Sequence, residues 1–435
     1  MRTGGRISAA ILVLDDVLAR RTPVNVAVRD WGKRARYAGA KDRAWVSGLV
    51  LDALRRKMSL AHAMGREDAR ALVLGALRIA WDVPVREIEQ AGYDDHGPTP
   101  LTEAEREALT LAPDPSAAPH VQGNFPEWLT PHMQRAFGEA AVVEAQAMAA
   151  RAPVDLRVNT LKADRERAAK ALYSVKAVPS PLLKNAFHIP APDPSQRETS
   201  LQAIPAYSKG WVEVQDAGSQ IAAAAANVTA GEQVLDLCAG GGGKTLALAA
   251  AMAGKGQVFA YDIDGRRLSA LIPRLKRSGA HNVQLMHPAE EGVLDPLRGE
   301  MDCVFVDAPC TGTGTWRRKP DTKWRVSERA LANRQVEQSD ILATAADFVK
   351  PGGRILYATC SFLIEEDEDQ VAAFLAEHPD FEAENSADAA IASGLLTDEG
   401  AATVRANTTS TGAVRLTPLR AGTDGFFFAA LRRTR

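Results

Sequence analysis

The sequence predicts an α/β protein: a mostly parallel, doubly wound sheet on the carboxyl side, a small α/β module before it, and an all-helical unit at the start. Three observations carry that expectation. From Trp211 onward, short apolar runs alternate with helix-compatible segments, the pattern of a parallel sheet covered on both faces. One of these runs, Val234-Leu235-Asp236-Leu237, leads within three residues into four consecutive glycines, Gly240 to Gly243, and then an Ala/Leu-rich helix from Thr245. Up to about residue 110, by contrast, the apolar residues fall at helical spacing.

In chain order, Ile7, Ile11, Leu14 and Leu18 draw one helical stripe, Val46, Leu49, Val50 and Ala53 a second, and Val73, Leu77 and Ala80 a third. The first 60 residues carry thirteen Lys and Arg against five Asp, an excess of eight on a chain whose formal charge is −2. Such asymmetry suits phosphate contact by counterion release, with solvated helix faces as the plainer alternative. The apolar run from Ile7 ends at Asp15 and Asp16, too soon for a signal segment, and nothing approaches the roughly 20 apolar residues of a membrane span. Four unclustered cysteines make no disulfide framework and predict a reducing compartment. A cytoplasmic monomer without a membrane partner is expected.

A proline-rich linker, Leu111 to Pro126, sets expected domain limits at 1–125, 126–210 and 211–435. In the middle part, Glu127 to Arg151 reads as helix, Val154 to Asn159 alternates like a strand, and Asp164 to Leu172 returns to helix. The last part opens with a strand at Trp211 to Gln215 and a helix at Ser219 to Ala226. Beyond the glycines come strands at Gln257–Tyr261, Val283–Met286, Asp302–Val306 and Arg354–Thr359, with a helix over Asp340–Val349. The span Ala383 to Gly412, rich in small and polar residues, reads as an insertion before the last strands.

A strand, a tight glycine turn and a helix start place a nucleotide-like ligand at the strand's carboxyl end. Two familiar glycine loops each fail by one residue. A phosphate-binding loop needs glycine where Cys238 stands, and a dinucleotide fingerprint needs it where Thr245 stands. Asp262, closing the next strand, is what a ribose diol requires, because a carboxylate accepts two hydroxyl hydrogen bonds. Two later strand ends turn a ligand site into a reaction site: Asp307-Ala308-Pro309-Cys310 and Thr359-Cys360-Ser361. Two thiols and a carboxylate therefore converge beside the ligand. Cys303, inside its strand, reads as a small buried apolar residue, and no Cys/His spacing suggests a metal site.

These motifs, the acidic run Glu365 to Glu368, Arg157 to Lys162, Gln215 to Gln220, Arg317 to Asp321 with Lys323-Trp324, and Asp424 to Ala429 together resemble the Sun/RsmB family of RNA cytosine-C5 methyltransferases. The resemblance covers most of the chain. It implies a class I Rossmann-like catalytic domain, a small α/β RNA-recognition-like module and an N-terminal NusB-like RNA-binding domain. It implies S-adenosyl-L-methionine as cofactor, held by Cys238, Ala239, Gly240, Gly241, Gly242, Gly243, Lys244, Asp262 and Asp307.

The substrate it implies is rRNA, most closely 16S rRNA; tRNA, 23S rRNA and a non-catalytic assembly role are the alternatives. The residues alone do not rank the two thiols, whereas the family attacks from the Thr-Cys-Ser cysteine. Cys360 is then the nucleophile, Cys310 assists release, and Asp307 meets the cytosine N3/N4 edge, where a donating carboxyl would have to be protonated. Lys244 or Arg317 would supply the positive field that a thiolate needs. Arg157, Asn159 and Lys162 are expected to face RNA or brace the site, and Arg317, Arg318 and Lys323, beside Trp316 and Trp324, to take phosphate and stacking contacts. Two departures stand out: Ala239-Gly240 replaces the usual Ala-Pro, and Pro288, with His287 and Glu290 beside it, stands where the family commonly has an acid for the adenine amine.

Overall fold

The computed structural model describes residues 1–112, 114–191, 193 and 204–434. The chain forms two compact units. One comprises Met1–Arg151 together with Trp316–Val326, and the other comprises 152–190, 204–315 and 327–434. Pro113, within the expected linker, lies outside the described residues, and the rest of that stretch contains a short helix, Pro119–Gly123.

The first unit is helical. Its three stripes point inward as their spacing requires: Ile7, Leu14, Val46, Leu49, Val50, Ala53, Val73 and Leu77 are all buried, with Ile11 and Leu18 half-buried against them. The polar faces turn out, so Arg20, Arg21, Arg29, Lys33, Arg34, Arg36, Lys41 and Arg43 are exposed. A buried Asp52 joins its elements, accepting from Arg55 at 2.6 Å, Arg151 at 2.7 Å and the Trp81 indole at 2.7 Å. A buried carboxylate survives because its lone pairs are used by cations and an N–H.

The second unit holds two sheets. The smaller is antiparallel, built from β1 (Val154–Val158), β2 (Val178–Pro179), β3 (Ala186–Ile189) and β4 (Val212–Val214) in the order β2-β3-β1-β4. Here the structure departs from expectation. The Val212 strand does not open the doubly wound sheet; it pairs with β1, Leu156 opposite Val214.

The larger sheet has eight strands, β5 (Gln233–Asp236), β6 (Gln257–Tyr261), β7 (Val283–Met286), β8 (Met301–Asp307), β9 (Val349–Thr359), β10 (Phe381–Glu384), β11 (Val414–Leu416) and β12 (Phe426–Arg433). Their order is β10-β12-β9-β8-β5-β6-β7, with β11 beside β12. Strands β5 to β9 run parallel, and β10 to β12 are joined antiparallel at one side. The chain steps outward from β5 through β6 to β7, then returns to the other side of β5 with β8. Strand order therefore reverses between β5 and β8, and a crevice opens at the carboxyl ends of such a pair.

The expected insertion contributes two helices, Ser386–Ala392 and Asp398–Ala406, the first packed by Ala387 and Ala390 into the core shared with the helix Ala217–Ala225. Among the described residues, no helix is long and apolar enough to cross a membrane.

Candidate active site

The glycine turn leaves β5 with its backbone fastened to the neighbouring strands: Leu237 N–H donates to Phe305 O and Ala239 N–H to Tyr261 O. Gly242 has φ +80°, and a Cβ there would stand 2.0 Å from Leu271 Cδ1, so only glycine fits. The helix Gly243–Ala251 begins at once, with no side-chain cap on its first N–H groups.

Asp262 closes β6 and is 3% exposed; its carboxylate accepts from Gly240 N–H at 2.8 Å and Asp264 N–H at 2.9 Å. It holds the turn while keeping lone pairs for a diol. An open cleft of about 630 Å³ is lined by Ile263, Asp264, His287, Pro288 and Ala289, the residues that follow β6 and β7. Pro288 thus lines the cleft at the end of β7 without supplying a carboxylate, and the acid lining it is Asp264, from the end of β6.

One further acid was not singled out from the sequence. Asp236, wholly buried at the end of β5, accepts from the Thr245 hydroxyl at 2.6 Å through one oxygen, and its other oxygen has no partner. Burial pushes its carboxyl up to about 7, against the pull of the Thr245 hydroxyl. A carboxylate inside an apolar strand was the available signal. A glycine turn, a buried carboxylate that can accept from a diol and a buried acid with one oxygen unpartnered are groups that a nucleoside carrying a charged amino-acid tail requires, and they fit S-adenosylmethionine.

At the end of β8, Asp307 Oδ2 accepts from the Lys244 ammonium at 2.6 Å. Burial disfavours the Lys244 charge, but Asp307 beside it holds the ammonium above the usual lysine range. Lys244 thus brings a charged donor to the strand end where Asp307 stands. The Lys244 ammonium and the Cys360 sulfur are close enough to interact electrostatically. Arg317 lies in the helical unit, buried, with its carbonyl accepting from the Arg55 guanidinium.

The two thiols meet. Cys310 Sγ and Cys360 Sγ are 3.4 Å apart, and the loops that bear them are stitched together. Gly314 N–H donates to Cys360 O at 2.9 Å, and the Thr313 and Ser361 hydroxyls share a bond of 3.0 Å. The hydrogen bond with Cys360, and then burial, push the Cys310 thiol well above its usual range. Burial likewise raises the Cys238 thiol, and Cys303, fully buried in β8, is pushed up to about 11.

The distant motifs of the sequence are braces for this arrangement. Gly314 packs against Gly425 so closely that a Cβ on it would lie 2.1 Å from Gly425 O, and Gly425 N–H donates to Gly314 O. Asp216 accepts from Gly218 N–H and Asp424 N–H, tying the helix start to the chain before β12.

Arg157 is buried, donates to Gln215 at 2.7 Å and is lowered to about 10 by burial. Asn159 is buried, with its amide on Gly210 O and Ser278 O. Both are placed as braces rather than facing solvent. Lys162 is exposed, its ammonium on Lys209 O and Arg277 O.

The expected basic, aromatic RNA loop is corrected more sharply. Trp316, Arg317 and Lys323 are buried in the helical unit, with Lys323 Nζ donating to Arg55 O and the Trp324 indole to Leu54 O; Arg318 is half-buried. These side chains fold inward because their aliphatic stems and indole rings cover apolar helix surface.

A family model described as the 16S rRNA methyltransferase RsmB/F matches residues 223–432, and one for an RsmF/B-like ferredoxin-like domain matches 125–195. The probable ribosomal RNA small subunit methyltransferase B of a Synechocystis strain is 27% identical over 98% of each chain. The ribosomal RNA small subunit methyltransferase B of Klebsiella pneumoniae is 36% identical over 59% of this chain and 58% of that one. Among solved structures, a methyltransferase homolog protein from Pyrococcus horikoshii superposes with a TM-score of 0.57 at 28% identity, over 72% of this chain and 97% of that chain.

Proposed function

Because the chain belongs to the Sun/RsmB family of S-adenosylmethionine-dependent rRNA methyltransferases, we propose that it methylates C5 of a cytosine in 16S rRNA, as a cytoplasmic monomer, through a covalent adduct on Cys360. The observation that carries this reading is the pair of thiols 3.4 Å apart at the ends of two adjacent parallel strands, β8 and β9. Cytosine C5 is a poor nucleophile, and adding a thiolate to C6 makes it an enamine. Bound S-adenosylmethionine supplies an electrophilic sulfonium methyl group.

The protein's part is to hold and move protons. Cys360, within the field of Lys244, adds to C6. Asp307 accepts from the cytosine amino group, and the ammonium of Lys244 offsets the charge gathered there. Cys310 keeps its proton while Cys360 ionises, since the two share one hydrogen bond. Once Cys360 is bonded to C6 it no longer shares that hydrogen bond, and Cys310 gives its proton to water; the Cys310 thiolate then takes the C5 proton, the C5–H pair forms the C5–C6 double bond, and Cys360 leaves C6 as a thiolate. The base must come unstacked, from a loop or by flipping. The exposed arginines and lysines of the first helices suit contact with the surrounding phosphates.

The test is methyl transfer to ribosomal RNA by single-cysteine variants, read beside denaturing gels for the adduct. Cys360→Ala is expected to lose both activity and adduct. Full methyl transfer by Cys360→Ala overturns the mechanism. Bisulfite sequencing of total RNA from cells lacking the protein then identifies the cytosine: a missing 5-methylcytosine in 16S rRNA supports the target, and one in tRNA or 23S rRNA replaces it.

A further inference from the structure

We propose that Glu366 and Gln338 are positioning residues that clamp the backbone on both sides of Cys310 and so hold its thiol where release of the product needs it. The inference rests on the assignment of Cys310 to release. Glu366 is wholly buried, and each of its two oxygens accepts from Thr311: Oε1 the backbone N–H at 2.7 Å and Oε2 the hydroxyl. Gln338, also wholly buried, lies on the helix Glu328–Ala346. Its Nε2 donates to Pro309 O at 2.9 Å and to Glu366 Oε1 at 3.2 Å. The residue before Cys310 and the residue after it are therefore held by one connected pair of side chains.

The clamp is anchored to the other thiol's strand. Tyr357, three residues before Cys360 on β9, donates its hydroxyl to Glu366 O at 2.6 Å. Thr359, the residue before Cys360, donates to Asp367, the residue after Glu366. A carboxylate taken wholly out of water is costly unless its lone pairs are filled. Glu366 is filled by Thr311 and Gln338 on the Cys310 side and by the Ser361 hydroxyl beside Cys360, and neither oxygen bonds to a thiol. It acts on the chemistry through the backbone of residues 309–311, not by touching substrate.

The role predicts a signature that general loosening of the fold does not give. A displaced Cys310 leaves C6 attack by Cys360 intact and slows the later proton removal, so enzyme accumulates as the RNA adduct. Cys310→Ala is the benchmark. Glu366→Ala is expected to accumulate adduct as Cys310→Ala does and to lower kcat at least tenfold, with KM for RNA and for S-adenosylmethionine within about twofold of wild type. Glu366→Gln keeps an oxygen for Thr311 N–H and is expected to restore kcat to within a few fold without adduct. Gln338→Leu, which frees Pro309 O and leaves Glu366 its bonds to Thr311, is expected to move in the same direction by less, and decides the question if Glu366→Ala does not fold.

Adduct in Cys310→Ala but in neither Glu366→Ala nor Gln338→Leu overturns the clamp alone. Absence of adduct in Cys310→Ala itself overturns the release role, and the clamp with it.

Discussion

The proposed donor site rests most heavily on one side chain, Asp262, which has two backbone N–H groups on its carboxylate. A hydrogen bond to a charged acceptor is worth about 1.5–3 kcal/mol. Asp262→Ala is therefore expected to weaken S-adenosylmethionine binding by roughly tenfold or more by calorimetry; an unchanged Kd would remove the residue from the site. At this scale the sequence was legible where chemistry is tied to a strand end. Cys310 meets Cys360, Asp307 meets Lys244, and Asp262 follows the end of β6, because a parallel sheet gathers its strand ends at one edge. It was illegible for Arg317 and Lys323, since a long basic side chain has the same spelling whether its stem covers a core or its head meets a phosphate. Asp236, Gln338 and Glu366 went unassigned because their roles come from burial and from partners far along the chain.

The glycine turn is an element whose shape has a separable test. Gly242 sits at φ +80° with Leu271 in the space of a side chain, whereas a Cβ on Gly241 would meet only Arg274 Nη1, at 3.6 Å. The left-handed backbone alone costs an alanine about 1–2 kcal/mol. Gly242→Ala is thus expected to lower the melting temperature by several degrees and to weaken donor binding, and Gly241→Ala to change the melting temperature little. Equal effects from the two would show that backbone conformation is not what selects glycine here. Strands β5 to β9 were readable for the same reason that the turn was: buried parallel strands spell themselves as apolar runs. Val212–Val214 was misplaced because three residues bury equally well in either sheet, and the pairing with Leu156 that decides the matter is non-local.

At the scale of the whole molecule, the helical unit is not contiguous in sequence: it takes back Trp316–Val326 from the middle of the catalytic chain. Nothing local announces such a return. Its most unusual residue is Lys323, fully buried, with its ammonium 5.4 Å from the Trp316 ring and 5.1 Å from the Trp324 ring. Burial first, then the charges of Arg55 and Arg56, push it from 10.5 down to about 7, although the two ring faces favour the charge. Between those two values the unfolded chain holds a proton that the folded unit has released. Stability from this group therefore rises as pH rises from about 7 toward 10.5 and is lowest where the lysine is charged in both states. Lys323→Met removes the term. Six of the seven tryptophans, all but Trp211, lie in the helical unit, so indole fluorescence follows its unfolding. The expected outcome in urea is that the variant exceeds wild type in stability at pH 6.5, with the gap closing by pH 9. A constant gap would mean that Lys323 keeps its proton in the folded unit, held there by the two indoles and the Arg55 carbonyl.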